Sequence, residues 1–166
     1  MPILTQRLLL IALSISSILL ILIALMMEHY LHLEPCPLCI FQRIGIILAG
    51  SLAALAALHH PARLGMRVYA GLIATAYLAS FGLALRQLWL QSLPDDQVPA
   101  CGPGLEYLID VLPFTEVLAI VLNGDGSCAE VAWSLFGLSI PAWVVVACIP
   151  LILVSLRLFV APRTAS

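Results

Sequence analysis

The stretch LLLIALSISSILLILIALMM, residues 8–27, is a run of 20 uncharged residues, and it decides the class of fold. At about 1.5 Å per residue, a helix of this length spans roughly 30 Å, the thickness of the hydrocarbon core of a bilayer. Over the whole chain, 63% of the residues are hydrophobic and 10% are charged, whereas about a quarter are charged in a typical soluble domain. The sequence therefore predicts a membrane protein.

Three further apolar stretches follow the first, and together they predict one integral membrane domain over residues 1–166. The fold class is predicted as all-α, a bundle of four transmembrane helices. The first stretch has a longer apolar core than a signal peptide and no small-residue cleavage site after it, so we expect a retained anchor. The predicted spans are about 8–27, 39–58, 68–87 and 141–159, and the two outer loops are about 28–38 and 88–140.

The second outer loop contains two short apolar segments. Segment 104–112 carries apolar residues at helical spacing, and segment 114–122 is apolar but too short to cross a membrane. We interpret both as interfacial helices that lie along the membrane. A small folded subdomain above the bundle is the alternative interpretation.

The distribution of charge predicts the orientation of the bundle. All nine acidic residues fall in the segments that follow the first and third predicted helices, and most arginines lie at the opposite ends. The positive-inside rule then assigns both termini to the cytoplasm, so the acidic loops face the periplasm in a bacterium or a lumen in a eukaryote. The chain has no lysine and no basic patch for nucleic acid. Four cysteines are expected to face the oxidising periplasm: Cys36, Cys39, Cys101 and Cys128.

The motif Cys36-Pro37-Leu38-Cys39 falls where the second helix is predicted to begin. Two thiols at this spacing can close a disulfide, and the amides of a helix N-terminus favour a reactive Cys39 thiolate. Half of a zinc site is an alternative, with Cys101 and Cys128 as the other ligands. That pair is separated by 26 residues without a knuckle pattern, which disfavours zinc, and Ile40 after Cys39 disfavours haem attachment.

The other three cysteines receive different interpretations. Cys101 and Cys128 each lie beside turn residues, so both are expected to be accessible. Their pattern alone does not distinguish a disulfide that staples the loop from one that exchanges with a partner. Cys148 lies inside the fourth predicted helix, where we expect a buried thiol that packs as a small apolar residue.

Arg43 and Arg86 are the two arginines that depart from the charge rule, because both lie near the outer ends of helices. A cation at the lipid boundary is costly unless it has a partner or reaches the headgroups. Arg43 follows Cys39 by one helical turn, so we expect it to hold a polar headgroup such as a quinone carbonyl, or to stabilise a thiolate. For Arg86 the same role and simple snorkelling both stay open.

Four segments are similar to the DsbB family, disulfide bond formation protein B, and the resemblance extends over essentially the whole chain. They are PCPLCIFQR at 35–43, WLQSLP at 89–94, GSCAE at 126–130 and FGLSIPAW at 136–143. The resemblance implies an enzyme that reoxidises a DsbA-like periplasmic thioredoxin-fold oxidase. It also implies that the electrons pass to a membrane quinone, ubiquinone or menaquinone.

The resemblance also implies roles for individual residues. The partner's thiol attacks Cys101 in a Cys101–Cys128 disulfide, and Cys36 then forms a transient bridge with Cys128. Cys39 becomes the thiolate that faces the quinone, and Arg43 helps to hold that pair. Arg86 and Gln87 complete the predicted quinone-binding set, and no metal ligand is predicted. Some members have a histidine at the position of Gln87, and glutamine can hydrogen-bond a carbonyl but cannot become cationic.

Three other functions stay open at this point. A quinone-linked thiol oxidoreductase of the vitamin K epoxide reductase type shares the chemistry, but its dithiol normally lies late in the chain. A structural or adaptor membrane protein with two stapled loops belongs to a different class. A metal-binding membrane protein is the third.

Overall fold

The computed structural model describes residues 3–94, 96–100, 105–124 and 126–160, and helices account for most of them. The long helices alternate with short connections, except after α3, where three short helices and a small hairpin intervene. In chain order the elements are α1 Ile3–Leu31, α2 Pro37–His59, α3 Arg63–Gln91, α4 Leu105–Val111, α5 Phe114–Asn123, α6 Gly126–Ala129, β1 Ser134–Leu135, β2 Leu138–Ser139 and α7 Ile140–Val160.

Helices α1, α2, α3 and α7 are each long and apolar enough to cross a membrane. Each contains one of the predicted spans and extends beyond it. Only a minority of the residues in each is buried inside the protein, and many leucines and isoleucines face outward. Such an apolar exterior matches a lipid environment. The predicted all-α bundle of four transmembrane helices is therefore confirmed.

Helix α3 is central to the bundle, because it packs along both α2 and α7, whereas α1 packs mainly along α2. Small side chains at these crossings let the helix backbones approach closely. At Gly50 of α2, a Cβ atom would lie 2.6 Å from the Cβ atom of Ser17 on α1. The Ser17 hydroxyl is hydrogen-bonded to the buried Tyr77 hydroxyl at 2.7 Å, which joins α1 to α3. The buried alanines are Ala49, Ala53, Ala56, Ala57, Ala70, Ala74, Ala76 and Ala84.

The second outer loop folds back onto one end of the bundle. Leu108 of α4 and both Val117 and Val121 of α5 are buried. They belong to a cluster that also contains Leu38, Leu90, Cys36 and Cys128. Two short helices are thus present where two short segments were predicted, and their buried residues pack against the end of the bundle. Their depth in a membrane stays a prediction.

A two-stranded antiparallel hairpin precedes α7 and was not predicted from the sequence. Ser134 pairs with Ser139, and Leu135 pairs with Leu138. The turn residues Phe136 and Gly137 both have positive φ, 52° and 78°. Such angles suit a two-residue hairpin turn, although phenylalanine adopts them rarely.

Candidate active site

Helix α2 begins inside the CxxC motif, at Pro37, so one cysteine precedes the helix and the other belongs to it. Cys36 has an extended backbone (φ −66°, ψ 161°) and is the N-cap residue, and Pro37 is the first helical residue. Proline suits this position because its φ is already helical and it needs no hydrogen-bond acceptor. The Ile40 amide then donates to the Cys36 carbonyl at 3.2 Å. Cys39 therefore lies in the first turn of α2, as predicted.

The sulfur atoms of Cys36 and Cys39 lie 3.2 Å apart, with the Cys36 thiol donating to Cys39. Cys36 also hydrogen-bonds Cys128, which α6 brings in from the second outer loop. The hydrogen bonds to Cys128 and Cys39, together with burial, raise the pKa of Cys36 far above its ordinary range. Cys36 is thus the middle member of a row of three sulfur atoms, and it holds its proton tightly.

Gln87 of α3 faces the two thiols of the CxxC motif. Its Nε2 atom donates to the sulfur atoms of Cys36 and Cys39, each at 3.4 Å. Its Oε1 atom accepts from Gln42 Nε2 at 2.9 Å and from the Cys39 thiol at 3.5 Å. Gln87 is buried, so these are contacts inside the protein. Its predicted hydrogen bond to a quinone carbonyl would compete with them.

Arg43 lies on α2 beside the same site and pairs with another helix. Its guanidinium makes an ion pair with Glu28 near the end of α1, and its Nη2 atom donates to the Ala24 carbonyl at 3.3 Å. The ion pair gives the cation a partner at the predicted lipid boundary, so Arg43 does not depend on snorkelling.

A cavity of about 120 Å³ lies next to the CxxC motif. One water molecule needs roughly 10–15 Å³ on the same measure, so the cavity has room for a larger group. Its walls are mostly apolar and come from α1, α2, α7 and the segment before α7. Its polar lining comes from Cys36, Cys39, Gln42, Arg43 and Gln87, and also from Glu28, Glu34, Gln91, Ser127 and Glu130. Apolar walls with a few placed polar groups are typical of a site for a small organic molecule, and these residues fit a quinone.

Arg86 lies elsewhere and contacts the second outer loop. Its Nε atom donates to the Leu122 carbonyl at 3.3 Å, and its Nη2 atom donates to the Asn123 carbonyl at 3.1 Å. Its guanidinium stacks on the Trp89 ring, 4.2 Å from the centroid. The residues that line the cavity do not include Arg86. Its role in quinone binding therefore stays a prediction, and its contacts instead connect α3 to the end of α5.

A family model described as disulfide bond formation protein DsbB matches residues 6–158 of this chain. The chain belongs to the DsbB family. Proteins named disulfide bond formation protein B are similar to it over most of their length. The one from Hahella chejuensis is 56% identical over 124 residues, which are 75% of either chain. The one from Stutzerimonas stutzeri is 52% identical over 129 residues, 78% of this chain and 79% of that one. The one from a Psychrobacter species is 45% identical over 167 aligned residues, 98% of each chain.

Membership of the DsbB family sets the general activity of the protein. Together with the four apolar helices, it identifies a disulfide-forming oxidoreductase that passes several times through the bacterial inner membrane. The resemblance noted in the sequence is thereby confirmed.

The predicted site residues have different outcomes in this DsbB-family chain. Cys101, and with it the predicted Cys101–Cys128 pair, lies outside the described residues. The prediction that Cys128 is accessible was wrong, because α6 packs on α3 and buries that side chain completely. The prediction for Cys148 was correct, since it lies fully buried in the bundle core. Among the described residues, no three His, Cys, Asp or Glu side chains are close enough to hold a metal.

Two residues of the site, Gln42 and Glu28, were not predicted from the sequence of this DsbB-family member. Gln42 is buried between Gln87 and the cavity, and Glu28 holds Arg43. A polar residue within an apolar helix was a usable signal for Gln42, because burial of an unpaired amide is costly. For Glu28, the sequence indicates only that it is one of the acidic residues predicted to lie on the outer side.

Proposed function

We propose that this protein reoxidises a DsbA-like periplasmic thioredoxin-fold oxidase by disulfide exchange and passes the electrons to a membrane quinone, ubiquinone or menaquinone. The observation that carries the proposal is the row Cys128, Cys36, Cys39, which ends at the cavity. Thiol exchange requires a sulfur within reach of the next disulfide, and this row provides such a route from the second outer loop to the cavity.

Exchange starts in the second outer loop. A thiolate of the partner attacks Cys101, the Cys101–Cys128 bond breaks, and Cys128 leaves as a thiolate. Cys128 then attacks Cys36 in an oxidised Cys36–Cys39 pair, which forms a Cys36–Cys128 bridge and releases Cys39 as a thiolate. The second cysteine of the partner attacks the mixed disulfide, so the partner leaves oxidised and Cys101 becomes a thiolate.

The second half of the sequence restores the loop disulfide. Cys101 attacks Cys128 in the bridge, which re-forms the Cys101–Cys128 bond and leaves Cys36 and Cys39 as a reduced pair. A bound quinone would take up the two electrons and two protons released when Cys36 and Cys39 close their disulfide. Within the cavity, Arg43 provides the cationic donor that would hold a quinone oxygen, and Gln87 holds the two sulfurs.

The environment of each sulfur supports this order of events. Because the pKa of Cys36 is raised, Cys36 leaves a disulfide less readily than Cys39, so Cys128 is expected to attack Cys36 and release Cys39. Cys39 lies in the first turn of α2, where the helix amides favour an anion. The cavity is lined by residues of α1 and α7, which contact each other little, and we propose that a lipid-soluble molecule enters between these two helices.

We also propose one integral membrane domain with spans near 8–27, 39–58, 68–87 and 141–159 and with both termini in the cytoplasm. The segregation of acidic and arginine residues supports this orientation. Reporter fusions after His60 and after Asp96 should report opposite sides of the membrane. The same side at both positions would contradict the orientation and separate the cysteines from the periplasm.

The proposed electron route is tested by trapping thiols in membranes from cells with and without quinone. Alkylation with a mass tag should find Cys36, Cys39, Cys101 and Cys128 oxidised when quinone is present and reduced in part when quinone is depleted and reduced partner accumulates. Cys148→Ala is the control and should not alter the pattern, because Cys148 is buried in the bundle core. Four outer cysteines that stay oxidised under both conditions would identify structural staples instead.

A further inference from the structure

Two buried glutamine side chains form a hydrogen-bonded pair directly beneath the CxxC motif. Gln42 of α2 is 3% exposed and Gln87 of α3 is 4% exposed. Gln42 Nε2 donates to Gln87 Oε1 at 2.9 Å, and Gln87 Nε2 donates to both sulfur atoms. The amide pair therefore connects the interior of the bundle to the reacting thiols.

The direction of the bond between the two amides determines what Gln87 presents to the sulfurs. An amide group has one end that accepts hydrogen bonds and one end that donates two. Because the oxygen of Gln87 accepts from Gln42, its NH₂ group is the end that donates to both Cys36 and Cys39, while the same oxygen also accepts the longer bond from the Cys39 thiol at 3.5 Å. If Gln87 turned over, its NH₂ group would face the donor of Gln42, and the donor to the two sulfurs would be lost.

The segment that carries Gln42 is held in place by α3. The buried Ser80 hydroxyl donates to the Gln42 carbonyl at 3.0 Å. At Gly45, one turn further along α2, a Cβ atom would lie too close to the Ser80 hydroxyl oxygen, so a side chain there would force Ser80 to move. The two helices are therefore in close contact at this level, which fixes the backbone of Gln42 relative to α3.

We propose that Gln42 is a positioning residue for the dithiol: its amide donor fixes the orientation of Gln87, which then presents two N–H groups to Cys36 and Cys39. N–H donors stabilise a thiolate relative to a thiol. The inference rests on the proposed function, in which Cys39 reacts as a thiolate. It assigns a role to Gln42, whose amide is hydrogen-bonded to Gln87 and not to either sulfur, and it reassigns Gln87 from the quinone to the thiols.

The test is the rate at which Cys39 is alkylated by iodoacetamide in the reduced, purified full-length protein, followed by mass spectrometry over a range of pH. Gln42→Met keeps the volume of the side chain but removes the donor. We expect about a tenfold lower rate at neutral pH and a pH profile displaced upward, the scale of losing one hydrogen bond to a charged group. Gln87→Met should have at least the same effect.

A double substitution separates positioning from packing. If Gln42 acts only through Gln87, then Gln42→Met should add nothing in a Gln87→Met background. A full second loss in the double variant would overturn the proposal, as would an unchanged rate in Gln42→Met alone. Gln42→Leu is the second variant in case the methionine variants do not fold. Its side chain has no donor, so it should also slow alkylation.

Gln6→Leu is the matched control, because Gln6 is also a buried glutamine but lies near the other end of α1. Glu28, which pairs with Arg43 beside the site, lies about 33 Å from Gln6 along that helix, at about 1.5 Å per residue. The Gln6→Leu variant should leave the alkylation profile of Cys39 unchanged, and a similar displacement would overturn the proposal. The experiment needs neither quinone nor partner. If the alkylation rate of Cys39 depends on Gln42 as expected but the protein does not reduce quinone, the proposed function is rejected and the role of Gln42 stands.

Discussion

Arg43 and Arg86 occupy equivalent positions in the sequence pattern, near the outer ends of two consecutive apolar helices, yet they belong to different parts of the molecule. Arg43 reaches from α2 to Glu28 of α1 and lines the cavity beside Cys39. Arg86 reaches from α3 to the last carbonyls of α5. The contacts of a membrane arginine therefore follow from the acceptors that other elements bring to it.

The acceptors of Arg86 suggest that it holds the second outer loop. The last carbonyls of a helix lack partners within the helix and carry the negative end of its dipole, so a cation there is stabilising. Stacking on Trp89 adds a cation–π contact. Helix α5 leads directly to α6, which carries Cys128 to Cys36. We therefore propose that Arg86 supports the packing of Cys128 against Cys36, whereas Arg43 acts at the cavity.

The largest expected effect is at the cavity, where Cys39→Ser should abolish reoxidation of the partner. A serine cannot re-form the disulfide with Cys36, so electrons have no route to the cavity. The measurement is the rate of quinone-dependent reoxidation of reduced partner. Cys148→Ser provides the comparison, since that thiol is buried in the bundle core and should tolerate the change with near-normal turnover. Residual turnover in Cys39→Ser would contradict the electron route.

Arg43→Ala should raise the apparent KM for quinone by about tenfold or more, because a hydrogen bond from a charged group is lost. The KM for the partner should change little. Arg43→Lys should recover only part of the affinity, since a point charge lacks the guanidinium fork.

Glu28→Gln is the control for Arg43, as it removes the ion pair but leaves the guanidinium. It should weaken quinone binding less than Arg43→Ala does. Unchanged quinone kinetics in Arg43→Ala would mean that Arg43 only neutralises Glu28.

Arg86→Ala should leave the KM for quinone unchanged and loosen α5 instead. We expect faster amide hydrogen exchange in Phe114–Asn123 and a several-fold lower yield of the Cys36–Cys128 bridge, a loss on the scale of one or two hydrogen bonds. Hydrogen exchange with mass spectrometry and trapping of the bridge measure the two effects. An increase in quinone KM equal to that of Arg43→Ala would remove the distinction between the two arginines.

The smallest expected effect concerns the titration of Cys36. Because its pKa is raised, Cys36 stays a thiol at a pH where an ordinary cysteine, with a pKa of 9.0, is already a thiolate. Since only the thiolate is alkylated, its labelling in the reduced protein should be slow at neutral pH and should still rise above about pH 9. Site-specific labelling over pH measures this.

Cys128→Ala sharpens the test, because the hydrogen bond to Cys128 is the largest cause of the raised pKa. In that variant, labelling of Cys36 should begin at lower pH. Equal labelling in both proteins would mean that α6 does not hold Cys128 against Cys36 in solution.

The sequence by itself determined the four membrane helices and the start of α2. A helix in lipid must satisfy its own backbone hydrogen bonds, so a long uncharged run has one stable conformation and can be recognised without its neighbours. The CxxC pair is local in the same sense, because Cys36, Pro37 and Cys39 define the first turn of a single helix. The positions of the charged residues along the chain likewise predict the orientation without any tertiary contact.

Only the tertiary structure decided which polar groups meet. Gln87 lies 48 residues after Cys39 and contacts it because α3 packs along α2 at that level. The burial of Cys128 and the partners of Arg86 depend on how the second outer loop folds back on the bundle. Uniform apolar helices carry little periodic signal for the face that meets a neighbour. Their pairing follows instead from close packing of small residues and from a few buried hydrogen bonds between distant segments.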